Sequence, residues 1–277
     1  MARVPAQVSA LLEELAAGLP AVLGRNLAGV YLYGSLTQGA FDPARSDVDC
    51  IAATRRDLSD AQFRRLGAWL ARLKESNPWA ARLQMTFLVR GEVLRMHAKA
   101  CHYQFGVLRR GGSDGNPIVW LNVLESGVTL YGESPESFVP EITWGILSEA
   151  LGREVNYLRE ELSLKPQSGW RDVPFYRAYA VLTLCRILYT HAKGKVVSKP
   201  RAARWALKHL PEEWHGLVRH AAASDYERLS TKAALSSVRR FVDFAGARLG
   251  VSARCPFERA LRVPLKTRGR GPESENF

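Results

Sequence analysis

The sequence predicts an α/β domain followed by a domain composed of helices, and three observations support this prediction. Before about residue 132, short apolar runs rich in β-forming residues alternate with segments of helical periodicity. From about residue 141 onward, the apolar residues repeat at helical spacing. The run Gly132-Glu-Ser-Pro135 interrupts the pattern between the two regions. We therefore predict domains over 1–150 and 151–263.

The elements of the first domain follow from local patterns. Val8, Leu11 and Leu15 recur at helical spacing in the first predicted helix. Asp57 and Ser59 are suitable caps for the second. The predicted helices cover 6–24, 59–75 and 91–99, and the predicted strands cover 28–34, 47–54, 83–89, 118–124 and 128–131. The glycine-rich run 111–117 is predicted to be a flexible loop.

The second domain is predicted to be helical throughout. Its helices are expected over 141–163, 173–193, 199–209, 211–223 and 231–249. Residues 264–277 lack apolar periodicity, which predicts a disordered tail.

Composition places the chain among globular proteins that can bury a large core. It has 277 residues, of which 47% are hydrophobic and 24% charged, enough for one large or two modest domains. The four cysteines are scattered without a C-x-x-C pair, which argues against a disulfide framework or a zinc site. We see neither a signal peptide nor an apolar stretch of the ~20 residues that span a bilayer, so we expect a cytoplasmic protein with no membrane partner.

The basic charge is unevenly distributed. Residues 1–150 carry 15 Lys and Arg against 15 Asp and Glu, whereas residues 151–277 carry 24 against 12. The whole net charge of +12 therefore lies in the second half. A neutral half facing a basic half suits the binding of a polyphosphate, but for most of these cations we prefer the interpretation of a solvated basic surface. No RRM, zinc-finger or helix-turn-helix pattern is visible, so we do not expect a nucleic-acid partner.

The most informative motif combines a turn with two carboxylates. An apolar run ends in Gly34-Ser35, and a polar loop leads to Asp47 and Asp49 at the start of a second apolar run. Residues two apart on a strand share a face, so both carboxylates should point the same way, about 6.6 Å apart at their Cα atoms. Paired carboxylates suit a hard divalent cation that also binds phosphates. Gly-Ser allows close approach of a phosphate chain to the backbone.

Each part of this motif is common in isolation. Aspartates often end strands, and Gly-Ser is an ordinary turn dipeptide. It is the ordered combination of strand, Gly-Ser, loop, Asp-x-Asp and strand that indicates a metal–nucleotide site.

This combination resembles the signature of the DNA polymerase β-like nucleotidyltransferases. Downstream, the segments 179–189, 194–199, 203–206 and 210–211 are similar to the helical domain of the streptomycin/spectinomycin adenylyltransferases. Gln104-Phe105-Gly106 also resembles that family. The resemblance extends over about residues 25–225 in one order, which a single short motif could not mimic.

The resemblance implies Mg²⁺-dependent transfer of AMP from ATP to a hydroxyl of an aminocyclitol antibiotic. It implies an α/β nucleotidyltransferase domain with a mixed sheet, an all-α helical bundle, and an active site between them. Asp47 and Asp49 would hold the metal. The triphosphate would be held from the first domain by Gly34, Ser35 and Ser46 and from the second by Arg186 and Lys199.

Three positions depart from the family pattern. Gln84 stands where the antibiotic adenylyltransferases have a glutamate on the third strand, so the general base is in question. Leu108 stands where the streptomycin enzymes have a tryptophan. Tyr176 and Arg177 replace acidic residues that should favour a cationic acceptor. If Gln84 is not at the base position, His102 or a solvent-assisted route becomes the better candidate.

We therefore expect a monomeric nucleotidyltransferase whose co-substrate is ATP and whose acceptor is a small hydroxylated molecule, most simply an aminocyclitol. We expect slow turnover because of Gln84. Two alternatives remain open: AMP transfer to a protein or RNA hydroxyl, and a nucleotide-binding pseudoenzyme.

Overall fold

The computed structural model describes residues 4–95, 98–112, 114–163 and 174–251. All the predicted site residues lie within these ranges. The predicted tail over 264–277 lies outside them.

The first half of the chain forms a six-stranded mixed sheet. The strands are β1 (Leu27–Tyr33), β2 (Val48–Thr54), β3 (Leu83–Val89), β4 (Ala100–Gln104), β5 (Val107–Gly111) and β6 (Val128–Gly132). Their order is β5-β4-β3-β2-β1-β6. Strands β2 and β3 are parallel, and the other neighbours are antiparallel. The α/β fold with a mixed sheet is thus confirmed.

One face of this sheet is covered by α1 (Ala6–Leu23) and α2 (Asp60–Ser76), and the other by α3 (Pro117–Ser126). Helix α2 begins with a capping box, in which Ser59 and Gln62 each bond the other's backbone N–H. On the opposite face, the fully buried Trp120 of α3 lies edge-on to Tyr31 of β1, with 6.2 Å between ring centroids.

The first helix differs from the expectation that no stretch is long and apolar enough to cross a membrane. Within the described residues, 6–26 pass that test of length and composition. The buried face of α1, however, packs on the sheet through Val8, Leu11, Leu15 and Leu19. Core helices of soluble proteins pass the same test, so this observation is weak evidence for a membrane span.

The second half is helical, as predicted. It comprises α4 (Trp144–Ser163), α5 (Pro174–Lys193), α6 (Lys199–His209), α7 (His215–Ala223), α8 (Tyr226–Ser230) and α9 (Lys232–Arg248). Helix α5 is central, because half of its 20 residues are buried and it packs against α4, α6, α7 and α9. The predicted boundary at residue 150 falls within α4, so the domain limits stay a prediction.

Two predicted elements were wrong. Residues 118–124 lie in the helix α3, not in a strand, because the Asn116 side chain accepts from the Ile118 N–H and Pro117 occupies the first turn. A short apolar run does not distinguish a buried strand from a buried helix. The predicted helix over 91–99 is a 3₁₀ turn at Arg90–Glu92 followed by irregular chain in its described part.

Three elements, β4, β5 and α8, were missed, and one predicted helix merged two elements. The hairpin of β4 and β5 turns at Phe105 and Gly106, both with positive φ (54° and 73°), as a two-residue hairpin turn of the primed type requires. The predicted helix 211–223 is a 3₁₀ turn at Glu212–Trp214 followed by α7, and α8 was not predicted.

Candidate active site

The turn after β1 brings the backbone against a carboxylate. Gly34 has φ of 79°, and a Cβ at this position would lie 2.4 Å from Asp49 Oδ2. Only glycine allows both this conformation and this approach. The Gln38 N–H donates to the Gly34 carbonyl at 3.1 Å, and the Ala40 N–H donates to the Ser35 carbonyl at 2.9 Å, so hydrogen-bonded turns continue over residues 34–39.

The two aspartates and Gln84 converge beside this turn. Asp49 pairs with Tyr33 of β1 on one side and with Gln84 of the parallel β3 on the other. Gln84 Nε2 donates to Asp47 Oδ2 at 2.7 Å, and its Oε1 accepts from Gln104 Nε2 at 3.4 Å. The face of β3 that carries Gln84 therefore lies toward the two carboxylates.

This donor set fits a hard cation with an open coordination sphere. Two carboxylates and an amide oxygen are the ligand types that Mg²⁺ prefers, with the remaining positions left for water and phosphate. In the part of the chain that the structure describes, no cluster of three His, Cys, Asp or Glu side chains would hold a metal. Metal binding here would thus depend on the aspartate pair, since Gln84 supplies no charge.

Lys199 and Arg186 of the helical half interact electrostatically with the carboxylates of the site. Burial and the neighbouring Asp47 together raise the pKa of Asp49 to about 7, against the opposing effect of Lys199 and Arg186. Burial and Arg186 lower the pKa of Lys199 to about 8, against the effect of Asp49 and Asp47. Burial also lowers the pKa of Arg186, and Tyr179 and Asp49 oppose it. The two halves of the chain therefore bring opposite charges together in one half-buried site.

Lys199 is also held by an aromatic ring. Its Nζ lies 4.9 Å from the centroid of Tyr179, within the range of a cation–π contact. Tyr179 in turn stacks on Tyr176, with 5.6 Å between ring centroids.

One acidic residue of the site was missed at the sequence level. Burial, Asp49 and Asp114 raise the pKa of Tyr33, and Asp114 also raises that of Asp49. The Asp114 carboxylate therefore lies near the aspartate pair. It belongs to the run 111–117, whose glycines indicate a loop but give no sign of what that loop approaches.

The predicted phosphate-binding serines occupy different surroundings. Ser35 lies half-buried in the turn after β1. The Ser46 hydroxyl accepts from the Asp42 N–H at 2.9 Å, and Arg82 donates to the carbonyls of Pro43 and Ser46. Ser46 thus organises the loop before Asp47, and a contact of either serine with phosphate stays a prediction.

His102, the alternative base, and two of the positions that depart from the family pattern have structural partners. His102 contacts the Thr86 hydroxyl through Nδ1 at 3.1 Å and the Gly112 carbonyl through Nε2, so both ring nitrogens are engaged. Leu108 packs in the core on the α2 side of the sheet. Arg177 is buried and donates to the carbonyls of Leu229 and Thr231 at 2.6 and 3.0 Å. Its guanidinium therefore secures the end of α8.

Comparisons with known proteins find similar chains among the adenylyltransferases. Residues 140–248 match the family model described as the aminoglycoside adenylyltransferase C-terminal domain. An aminoglycoside (3'') (9) adenylyltransferase of Shigella flexneri is 27% identical over 252 residues, covering 83% of this chain and 91% of the relative. A spectinomycin 9-adenylyltransferase of Campylobacter jejuni is 23% identical over 223 residues, covering 76% and 82%.

The chain is similar to aminoglycoside and spectinomycin adenylyltransferases over most of its length. The resemblance predicted from the motifs is thereby confirmed. A crystal structure of the spectinomycin adenyltransferase AAD(9) from Enterococcus faecialis with ATP and spectinomycin shares the fold, with a TM-score of 0.64 and 18% identity. The match covers 88% of this chain and 98% of that adenyltransferase.

Proposed function

We propose that this protein transfers AMP from ATP to a hydroxyl of an aminocyclitol antibiotic and releases pyrophosphate. The observation that carries the proposal is the meeting of Asp47 and Asp49 with Lys199 and Arg186, one pair from each half of the chain. Opposed carboxylates and cations can hold a metal-bound polyphosphate between them. We also propose that the protein is cytoplasmic, since ATP is available in that compartment. We further propose that it is a monomer.

Different residues of the chain have different roles in the proposed reaction. Asp47 and Asp49 would hold Mg²⁺, which supplies charge neutralisation at the phosphates when it is bound. Lys199 and Arg186 hold the triphosphate from the opposite side, and the Gly34 turn provides backbone groups at close range. The acceptor oxygen forms a bond to the α-phosphorus, the bond from that phosphorus to the leaving pyrophosphate oxygen breaks, and the hydroxyl proton passes to water.

Gln84 limits the proton-transfer part of this reaction. Its amide can accept a hydrogen bond from the acceptor hydroxyl, but it takes no proton at neutral pH. His102 is a poor substitute, because the Thr86 hydroxyl and the Gly112 carbonyl engage its ring nitrogens. We therefore propose that the chain binds Mg-ATP well and transfers AMP slowly.

A panel assay tests the proposed function against its alternatives. Pyrophosphate release is measured with Mg-ATP and, in separate reactions, spectinomycin, streptomycin, a protein mixture and total RNA. Release with an aminocyclitol supports the proposal. Release with protein or RNA alone favours the second acceptor class, and ATP binding without release from any acceptor favours a pseudoenzyme.

Replacing Lys199 with alanine is expected to weaken Mg-ATP binding roughly tenfold or more, the scale of a lost charge-assisted hydrogen bond. AMP binding should fall less, because the proposed contact of Lys199 is with the β- or γ-phosphate. Calorimetric titration with both nucleotides measures the difference. The exposed Lys208 on the same helix provides the control, and Lys208→Ala should bind ATP as the parent does. Equal losses for AMP and ATP would contradict the placement.

Replacing Asp114 with asparagine is expected to raise the KM for a cationic aminocyclitol about fivefold to tenfold, because a carboxylate near the aspartate pair can pair with an acceptor ammonium. The KM for ATP should stay the same or fall, since a negative charge leaves the triphosphate site. Steady-state kinetics with each substrate varied separately gives both values. A rise confined to the KM for ATP would show that Asp114 does not lie on the acceptor side of the site.

A further inference from the structure

The segment 194–198, which joins α5 to α6, sets the position of Lys199. The Thr190 hydroxyl donates to the Lys195 carbonyl at 3.0 Å, and the Gly194 N–H donates to the Thr190 carbonyl at 2.8 Å. Gly194 has φ of 65°, which lets the chain turn back along α5. Lys199 is the first residue of α6. The backbone of this segment therefore determines where the Lys199 side chain starts.

Helix α3 anchors this segment through a carboxylate. The Val196 N–H donates to Glu125 Oε2 at 2.8 Å. The side chains of Val196 and Val197 are both buried. Burial raises the pKa of Glu125, while the Val196 N–H and Lys195 lower it. A backbone bond to a carboxylate is one of the stronger hydrogen bonds that a protein makes.

The same segment is tied to the turn that follows β1. Gln38 Nε2 donates to Asn122 Oδ1 of α3 at 3.0 Å and to the Val196 carbonyl at 3.5 Å. The backbone N–H of Gln38 bonds the Gly34 carbonyl. Asn122 is only 3% exposed, and its Oδ1 also accepts from the Ser126 hydroxyl at 2.9 Å. A continuous set of hydrogen bonds thus runs from the Gly34 turn through α3 to the residues before Lys199.

We infer that Glu125 is a positioning residue, which holds Lys199 at the distance from the Gly34 turn that the triphosphate requires. The inference rests on the proposed function, because it concerns the same nucleotide site. Glu125 acts through Val196 and the start of α6 and does not itself meet the nucleotide. Without it, the Val196 N–H loses its partner and the segment is free to shift away from the sheet.

Two variants of Glu125 separate positioning from charge. Glu125→Gln and Glu125→Ala both remove the negative charge, but only alanine removes the oxygen that accepts from the Val196 N–H. Glu125→Ala should weaken Mg-ATP binding about tenfold, and Glu125→Gln should stay within about twofold of the parent. In a Lys199→Ala background, Glu125→Ala should add less than about twofold, because its effect passes through Lys199.

The full-length protein is used for all variants, and calorimetry with Mg-ATP is combined with hydrogen exchange of the 194–198 segment without nucleotide. Exchange should be faster in Glu125→Ala and nearly unchanged in Glu125→Gln. Equal ATP affinity of Glu125→Ala and the parent would overturn the inference, whatever the thermal stabilities. Additive losses in the Lys199→Ala background would overturn it as well. If the parent protein itself fails to bind Mg-ATP, the proposed function is wrong. That result is distinguishable from the equal affinities and from the additive losses, which contradict the role of Glu125.

Discussion

Replacing Asp47 or Asp49 with asparagine is expected to reduce AMP transfer by more than about 100-fold, because even the outer-shell partners of a metal typically cost 10–100-fold when lost. Each change removes one of the two negative charges available for the cation. Tight Mg-ATP binding should be lost with it, and the folded structure should survive, since both side chains are only half-buried. Pyrophosphate release, calorimetry with Mg-ATP and thermal unfolding measure the three effects.

Asp60→Asn is the matched control for this experiment. The Asp60 side chain is exposed in the first turn of α2, where it pairs with Arg110 at 2.8 Å. Its loss should change transfer by less than about twofold, as is usual for an exposed ion pair. If Asp47→Asn and Asp49→Asn both bind Mg-ATP as the parent does, the assignment of the site is wrong.

Replacing Gln84 with glutamate is expected to raise kcat for the true acceptor by about 10²–10⁴, the usual contribution of a positioned general base. The carboxylate would take the place of an amide that already bonds Asp47 and Gln104. ATP affinity in the presence of Mg²⁺ should change little. Single-turnover kinetics at saturating ATP measures the effect on the transfer step.

A second measurement on the Gln84→Glu variant does not require the acceptor. Gln84→Glu replaces the N–H donor to Asp47 with a negative charge, so two carboxylates would face each other. The thermal midpoint should therefore fall in buffer without Mg²⁺ and recover when Mg²⁺ is added. A parent enzyme that is already fast, together with a neutral or harmful effect of Gln84→Glu, would show that Gln84 is not at the base position.

The amino-acid sequence by itself determined the two-part architecture and the core of the candidate site. Period-2 and helical patterns are local, so the strands that carry Gly34 and Asp49 and the long helices of the second half were predictable. The spacing of Asp47 and Asp49 sets them on one side of a strand regardless of what packs nearby. The sequence showed a turn glycine at position 34, but the Asp49 carboxylate that a side chain there would meet is a contact made only by the fold.

Only the tertiary structure decided which distant residues complete the site. It formed the β4–β5 hairpin, since the hydrophobic pattern of a segment does not show which other segment it pairs with. It also set the electrostatic interaction of Asp114 with Asp49. It formed the hydrogen bonds of Gln84 with Asp47 and of Glu125 with the Val196 N–H. These contacts join residues more than 30 positions apart, and their geometry depends on how the helices pack on the sheet.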